Sequence, residues 1–157
     1  MKQLWDLGDF LRRVRVRLSY GDLSREPLRL VRIDVRGAAA RCEWIAREPD
    51  GWDNDLPAGA QAARASLQAL LDAIALRDLL FATLPSVRTA ELRSFRDRGA
   101  EPPALIIRGA VSQDAPPPLR ASSVVMRALL GGFQFHLRDG ILSALEGAEA
   151  RGPAPAD

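Results

Sequence analysis

The sequence predicts an α+β fold, and three observations predict it. Apolar residues recur at helical spacing in two places, near the N-terminus and across a long stretch from Ala63 to Leu84. Elsewhere, apolar residues alternate with charged ones in runs of the length of a half-buried strand. Glycine, proline and aspartate gather between these runs, where turns belong. At 157 residues the chain suits one core, so a single domain is expected over residues 1–147, with a disordered tail over 148–157 that is rich in glycine and proline.

The first element is an amphipathic helix within residues 1–20. Leu4, Leu7, Leu11, Val14 and Leu18 follow one another at steps of three and four, the stripe of a helix with one buried side. Asp6 and Asp9 precede Arg12, Arg13, Arg15 and Arg17, the order that complements a helix dipole. Val14, Val16 and Leu18 also alternate with arginines, so a strand at the end of this segment is the rival.

A hairpin follows. Val31, Ile33 and Val35 alternate with Arg32, Asp34 and Arg36, and after Gly37 the residues Cys42, Trp44 and Ala46 alternate with Arg41, Glu43 and Arg47. Residues 49–55 form an acidic loop in which Asp55 is placed to cap a helix with Pro57 in its first turn. That helix carries a buried stripe of Ala63, Leu67, Leu70, Leu71, Ile74 and Phe81. Leu76, Leu79, Leu80 and Leu84 make its second half apolar around much of its circumference, and Pro85 stops it. It is the expected central helix, packed with the N-terminal one on an antiparallel sheet.

A second hairpin is expected from 87–96 and Ala104–Val111, joined by the glycine and prolines of 97–103. Pro116 to Pro118 make an extended bridge. Ser122 or Ser123 then caps a short helix ending at Gly131 and Gly132, and a last strand pair turns at Asp139-Gly140. One continuous helix over 123–147 is the alternative. The order of hairpin then helix occurs twice, but without residue identity that would make it a repeat.

Composition narrows the function classes. The one long apolar segment contains Arg64, Asp72, Arg77 and Asp78, each costly in hydrocarbon, so no membrane association is expected. Asp6 and Asp9 interrupt what a secretory signal would need as an apolar run, and a single cysteine, Cys42, fits a reducing compartment; the expected location is cytoplasmic. Arginine accounts for all the basic residues except Lys2. The excess is spread along the chain, as base composition of a genome would spread it, although only the first third is basic in balance.

No constellation of residues carries a reaction. His136 is the sole histidine and alternates away from Phe133, Phe135 and Leu137, which reads as a half-exposed strand residue. Cys42 shares the apolar side of its strand with Trp44, the place of a structural thiol. Asp50, Asp53, Asn54 and Asp55 offer oxygen ligands, but their spacing is not that of a calcium loop, and turn and cap roles account for them. No phosphate-binding glycine motif is present, and neither a cofactor nor a metal is expected.

Two surfaces are left as candidates. The leading expectation is a non-enzymatic protein-binding or assembly module, with a protein partner or a second copy covering the over-wide face at Leu76, Leu79 and Leu80. Trp52, between polar residues, either folds back on the core, the preferred reading, or stands as a contact residue beside that face. The alternative is an arginine-mediated nucleic-acid binder using Arg12, Arg13, Arg17, Arg32, Arg36, Arg41 and Arg47. Asp34 and Glu43 interrupt that track, and neither strand offers an aromatic on its polar side for stacking bases. A third reading, an enzyme built from Asp and Arg residues that only the fold assembles, would need a deep pocket holding a buried carboxylate.

Overall fold

The structure is a computed structural model that describes residues 2–115 and 123–146, with side chains from Trp5 onward. Chain order is α1 (Lys2–Arg17), β1 (Arg29–Arg36), β2 (Ala39–Ile45), α2 (Ala58–Thr83), β3 (Thr89–Arg98), β4 (Glu101–Ser112), α3 (Val124–Leu130), β5 (Phe133–Gln134), β6 (His136–Arg138) and β7 (Ile141–Ser143). A 3-10 turn, Gly51–Asp55, precedes α2. The expected α+β class is the one adopted: helices beside a five-stranded sheet of order β1-β2-β3-β4-β5, with a two-stranded ribbon of β6 and β7. The expected tail at 148–157 and the proline bridge lie outside the described residues.

Both expected hairpins form. β1 and β2 are antiparallel, with Ile33 opposite Cys42 and Asp34 opposite Arg41. Gly37 opens their two-residue turn at φ 59°, a conformation that strains any residue with a Cβ. β3 and β4 run further than the sequence pattern reaches and take Pro102 and Pro103 into the outer end of β4. The two hairpins meet in parallel, Cys42 opposite Leu92, so the sheet is mostly antiparallel. The cause is α2, whose 26 residues span ~39 Å and return the chain to the end of the sheet from which β2 started.

Strand alternation puts Ala40, Cys42, Trp44, Ala90, Leu92 and Ile107 on one face, where all are buried against the helices. The other face carries Arg32, Asp34, Arg41, Glu43, Glu91 and Arg93. α2 is covered by the sheet, by Phe10 and Val14 of α1, by α3 and by the ribbon. Leu142 of the ribbon is fully buried, and its N–H donates to Ser66 Oγ at 2.9 Å.

This overturns the expected open face on α2. Leu76, Leu79 and Leu80 are 0%, 6% and 0% exposed, because a helix wrapped by a sheet, two helices and a ribbon of its own chain has little free circumference. Burying each such side chain is worth about 1.5–3 kcal/mol, so the apolar width stabilises the fold.

Several finer expectations shift. In α1 the seam is Leu7, Phe10, Val14, while Leu11 turns outward; a stripe at heptad spacing drifts around a straight helix. The helix persists to Arg17, so the rival strand does not form. Pro57 takes the N-cap position of α2 without a side-chain cap bond, and Asp55 ends the preceding turn. Ser123 does cap α3, its Oγ accepting from Met126 N–H at 3.1 Å. Asp139 and Gly140 both have positive φ, 54° and 79°, and make the turn between β6 and β7, so 123–147 is not one helix.

Candidate functional site

Trp52 does not fold back on the core. It is 78% exposed, and the loop that carries it is tied down at several points. Asp50 accepts from Trp52 N–H at 3.0 Å and from Arg25 N–H at 2.8 Å, which fastens the turn to the segment after α1. Those same donors, Trp52 first, hold the Asp50 carboxyl below its usual range. Arg64 Nε meets Asp53 Oδ2 at 3.0 Å, and Gln61 Nε2 donates to the Leu56 carbonyl at 2.8 Å, joining the turn to α2. The Arg25 guanidinium lies over the indole, 5.3 Å from its centre. An aromatic residue that pays full exposure to water is thus held on a fastened turn with a cation on its face. What a local pattern does not contain is the pair of bonds from Arg25 and Arg64, distant in sequence, that fasten the turn.

Arg47, expected on the arginine track, is instead buried on the helix side. Its side chain and that of Asp72 are 1% and 3% exposed. Arg47 Nε donates to Asp72 Oδ2 at 2.8 Å, and its terminal nitrogens donate to the carbonyls of Glu26 at 2.8 Å and Leu18 at 2.6 Å. Gln68 Nε2 donates to Asp72 Oδ1 at 2.9 Å, while its Oε1 accepts from Leu23 N–H. One guanidinium therefore pins β2, α2 and the loop after α1 together. Burial raises the Asp72 carboxyl by more than Arg47 and Gln68 lower it, since the arginine's fork is shared with two carbonyls. The sequence signal was available: Gln68 and Asp72 stand one helical turn apart among buried positions, and a charge there must find a partner.

Asp72 is the buried carboxylate that an enzymatic reading needs, and a cleft of about 340 Å³ lies beside it, lined by Arg17, Tyr20, Asp22, Asp78 and Arg127 among others. Both of its oxygens, however, already accept bonds, and the side chain is enclosed. Its bonds tie α2 to the segment after β2 and to the loop after α1. The Cys42 thiol is fully buried and pushed up to about 12 by burial and by the neighbouring Glu43 charge, so it is inert as a nucleophile in the folded chain.

The remaining arginines divide. Arg12 and Arg13 pair with Asp9 on α1, and Arg17 is exposed at its end. Arg32, Arg36 and Arg41 stand on the open sheet face and border a groove of about 400 Å³ with Asp34 and Glu91. Arg32 meets Asp34 at 2.6 Å, and Glu91 receives Arg93 at 2.6 Å and Arg41 at 3.3 Å. Burial pushes the Glu91 carboxyl up, but Arg93, Arg41 and Arg108 together pull it below its usual range. The face is a chequered ladder in which Arg32, Arg41 and Arg93 each stand beside an anion, with the helix arginines on the far side of the sheet.

Among the described residues no group of three His, Cys, Asp or Glu side chains converges to hold a metal, and no helix is long and apolar enough to cross a membrane. Comparison with protein-family models, with curated proteins and with solved structures finds no match to this chain.

Proposed function

We propose that this chain is a protein-binding module rather than an enzyme, and that Trp52 with Arg25 is its contact point. The observation that carries the reading is an indole exposed to water on a turn fastened by Asp50, Asp53 and Gln61. Tryptophan and arginine are the side chains most enriched where binding energy concentrates, and a fastened turn loses little entropy on docking. The bonds already made by both Asp72 oxygens and the burial of Cys42 support binding over catalysis. A single buried cysteine supports action in the cytoplasm.

Retention of proteins by the immobilised chain tests this. A partner held by the unaltered chain and by Trp5→Ala, an equally exposed control, is expected to be lost with Trp52→Ala and weakened with Arg25→Ala. Equal retention by Trp52→Ala overturns the reading.

A further inference from the structure

The two edges of the five-stranded sheet are unlike. At β4 the edge is covered in part: β5 pairs with Arg108 and Gly109, and Leu145 N–H donates to the Leu105 carbonyl at 2.8 Å. At the other end β1 has β2 on its inner side and no strand on its outer side among the described residues. Its backbone direction follows from β2. Ala38 and Ala46 bond β3, through the Ala38 carbonyl and the Ala46 N–H, so the even-numbered residues of β2 face that strand and the odd ones face β1. By register, Arg32, Asp34 and Arg36 bond β2, while Ile33 and Val35 turn their N–H and C=O outward.

The side chains along this edge are equally particular. Leu30, Ile33 and Val35 are only half-buried, although they lie on the helix side of the sheet. Beside them an apolar groove of about 360 Å³ runs between α1 and β1, bordered by Leu11, Leu18, Leu28 and Leu30 among others. Val31 is 62% exposed at a bulge. On the open face the edge strand reads Arg32, Asp34, Arg36, a plus-minus-plus order.

We propose that β1 is a self-association edge, at which two copies of this chain pair antiparallel about a two-fold axis through Ile33 to make one continuous sheet. With Ile33 on the axis, the two Ile33 residues exchange N–H to C=O bonds. Arg32 of each copy then falls opposite Asp34 of the other, twice over, and Val31 falls opposite Val35. The charge order selects this register. An axis at Asp34 sets Asp34 against itself and Arg32 against Arg36, both repulsive. An axis at Val35 restores opposite charges but runs the Gly37 turn against Ile33 and leaves few pairs. A second copy is the occupant because the strand is complementary to itself. Trp52 is not part of this strand.

Sedimentation of the full chain across the micromolar range, with two charge-reversed variants, tests the proposal. The unaltered chain is expected to dimerise with rising concentration. Arg32→Asp places acid opposite acid and Asp34→Arg places base opposite base, so each alone is expected to dimerise about tenfold more weakly. Mixed in equal amounts they are expected to regain the dimer as a heterodimer, since each supplies the charge the other lacks. Rescue by mixing has no explanation within one chain, because the pairing inside each variant stays broken. Both substitutions lie on the open face, Arg32 exposed and Asp34 half-exposed, and Trp52→Ala is expected to leave the dimer intact. A monomer throughout overturns the proposal, as does undiminished dimerisation of both variants alone.

Discussion

Arg47 with Asp72, and Arg41 and Arg93 with Glu91, are built from the same charges at similar distances on opposite faces of one sheet. The first pair is enclosed, whereas Glu91 and Arg93 are half-buried and Arg41 is open to water, and that changes what each does. In the interior the attraction is strong, but the cost of taking the Asp72 charge out of water is larger still, and Gln68 and two backbone carbonyls make the pair tolerable by satisfying its remaining groups. On the open face water reaches one side of the ladder and screens it in part, so each pair is worth less than the enclosed one. A buried ion pair is a commitment that breaks badly; an exposed one is replaceable.

The sharpest way to break this contrast is Arg47→Ala. It leaves Asp72 buried without its counter-charge and two carbonyls without a donor, and is expected to cost about 3–5 kcal/mol in urea denaturation. A loss near that of a surface pair would remove the distinction. Replacing both residues, Arg47→Met with Asp72→Leu, is expected to recover much of the loss, because no unpaired charge is left behind.

The next effect is on pH dependence, where the two carboxylates act with opposite sign. Asp72 is raised in the fold, so its native form keeps a proton that the unfolded chain releases; its contribution grows as pH falls through the native value and is lost as pH rises. Glu91 is lowered, so its contribution is complete above the unfolded value and is lost as pH falls through the native one. From neutral pH into the carboxylate range, Asp72→Asn is therefore expected to steepen the fall in urea midpoint, and Glu91→Gln to flatten it. Shifts in the same direction would mean that burial does not separate the two groups.

Smaller effects sharpen the other side. Arg93→Ala, on the open face, is expected to cost no more than about 1 kcal/mol, and less in high salt. Trp52→Ala is expected to stay within about 0.5 kcal/mol, since an exposed indole adds little to the fold. A larger loss there would give Trp52 a structural role and weaken the contact-point reading.

Much of the fold was legible locally. The alternation from Arg32 to Arg36, the Asp139-Gly140 turn and the Ser123 cap each depend on a few neighbouring residues and are found where their patterns stand, whereas a bulge turns Val31 outward and gives its inner place to Leu30. The candidate site was half legible. Trp52 is conspicuous among polar residues, but whether it turns inward depends on bonds to Arg25 and Arg64, which are distant in sequence. Leu76, Leu79 and Leu80 were misread for a related reason: apolar width says that cover is needed, not that the same chain supplies it through β6, β7 and two helices.

By itself the sequence determined the element types, the turns and the polarity of each strand face, because these follow from backbone geometry and side-chain periodicity over a few residues. Only the tertiary structure decided that β2 and β3 run parallel, that Arg47 leaves the arginine track to meet Asp72, and that β1 is left at a free edge. These outcomes depend on contacts between distant segments, where the same arginine is a solvated surface charge or an interior pin according to which burial the whole chain can satisfy.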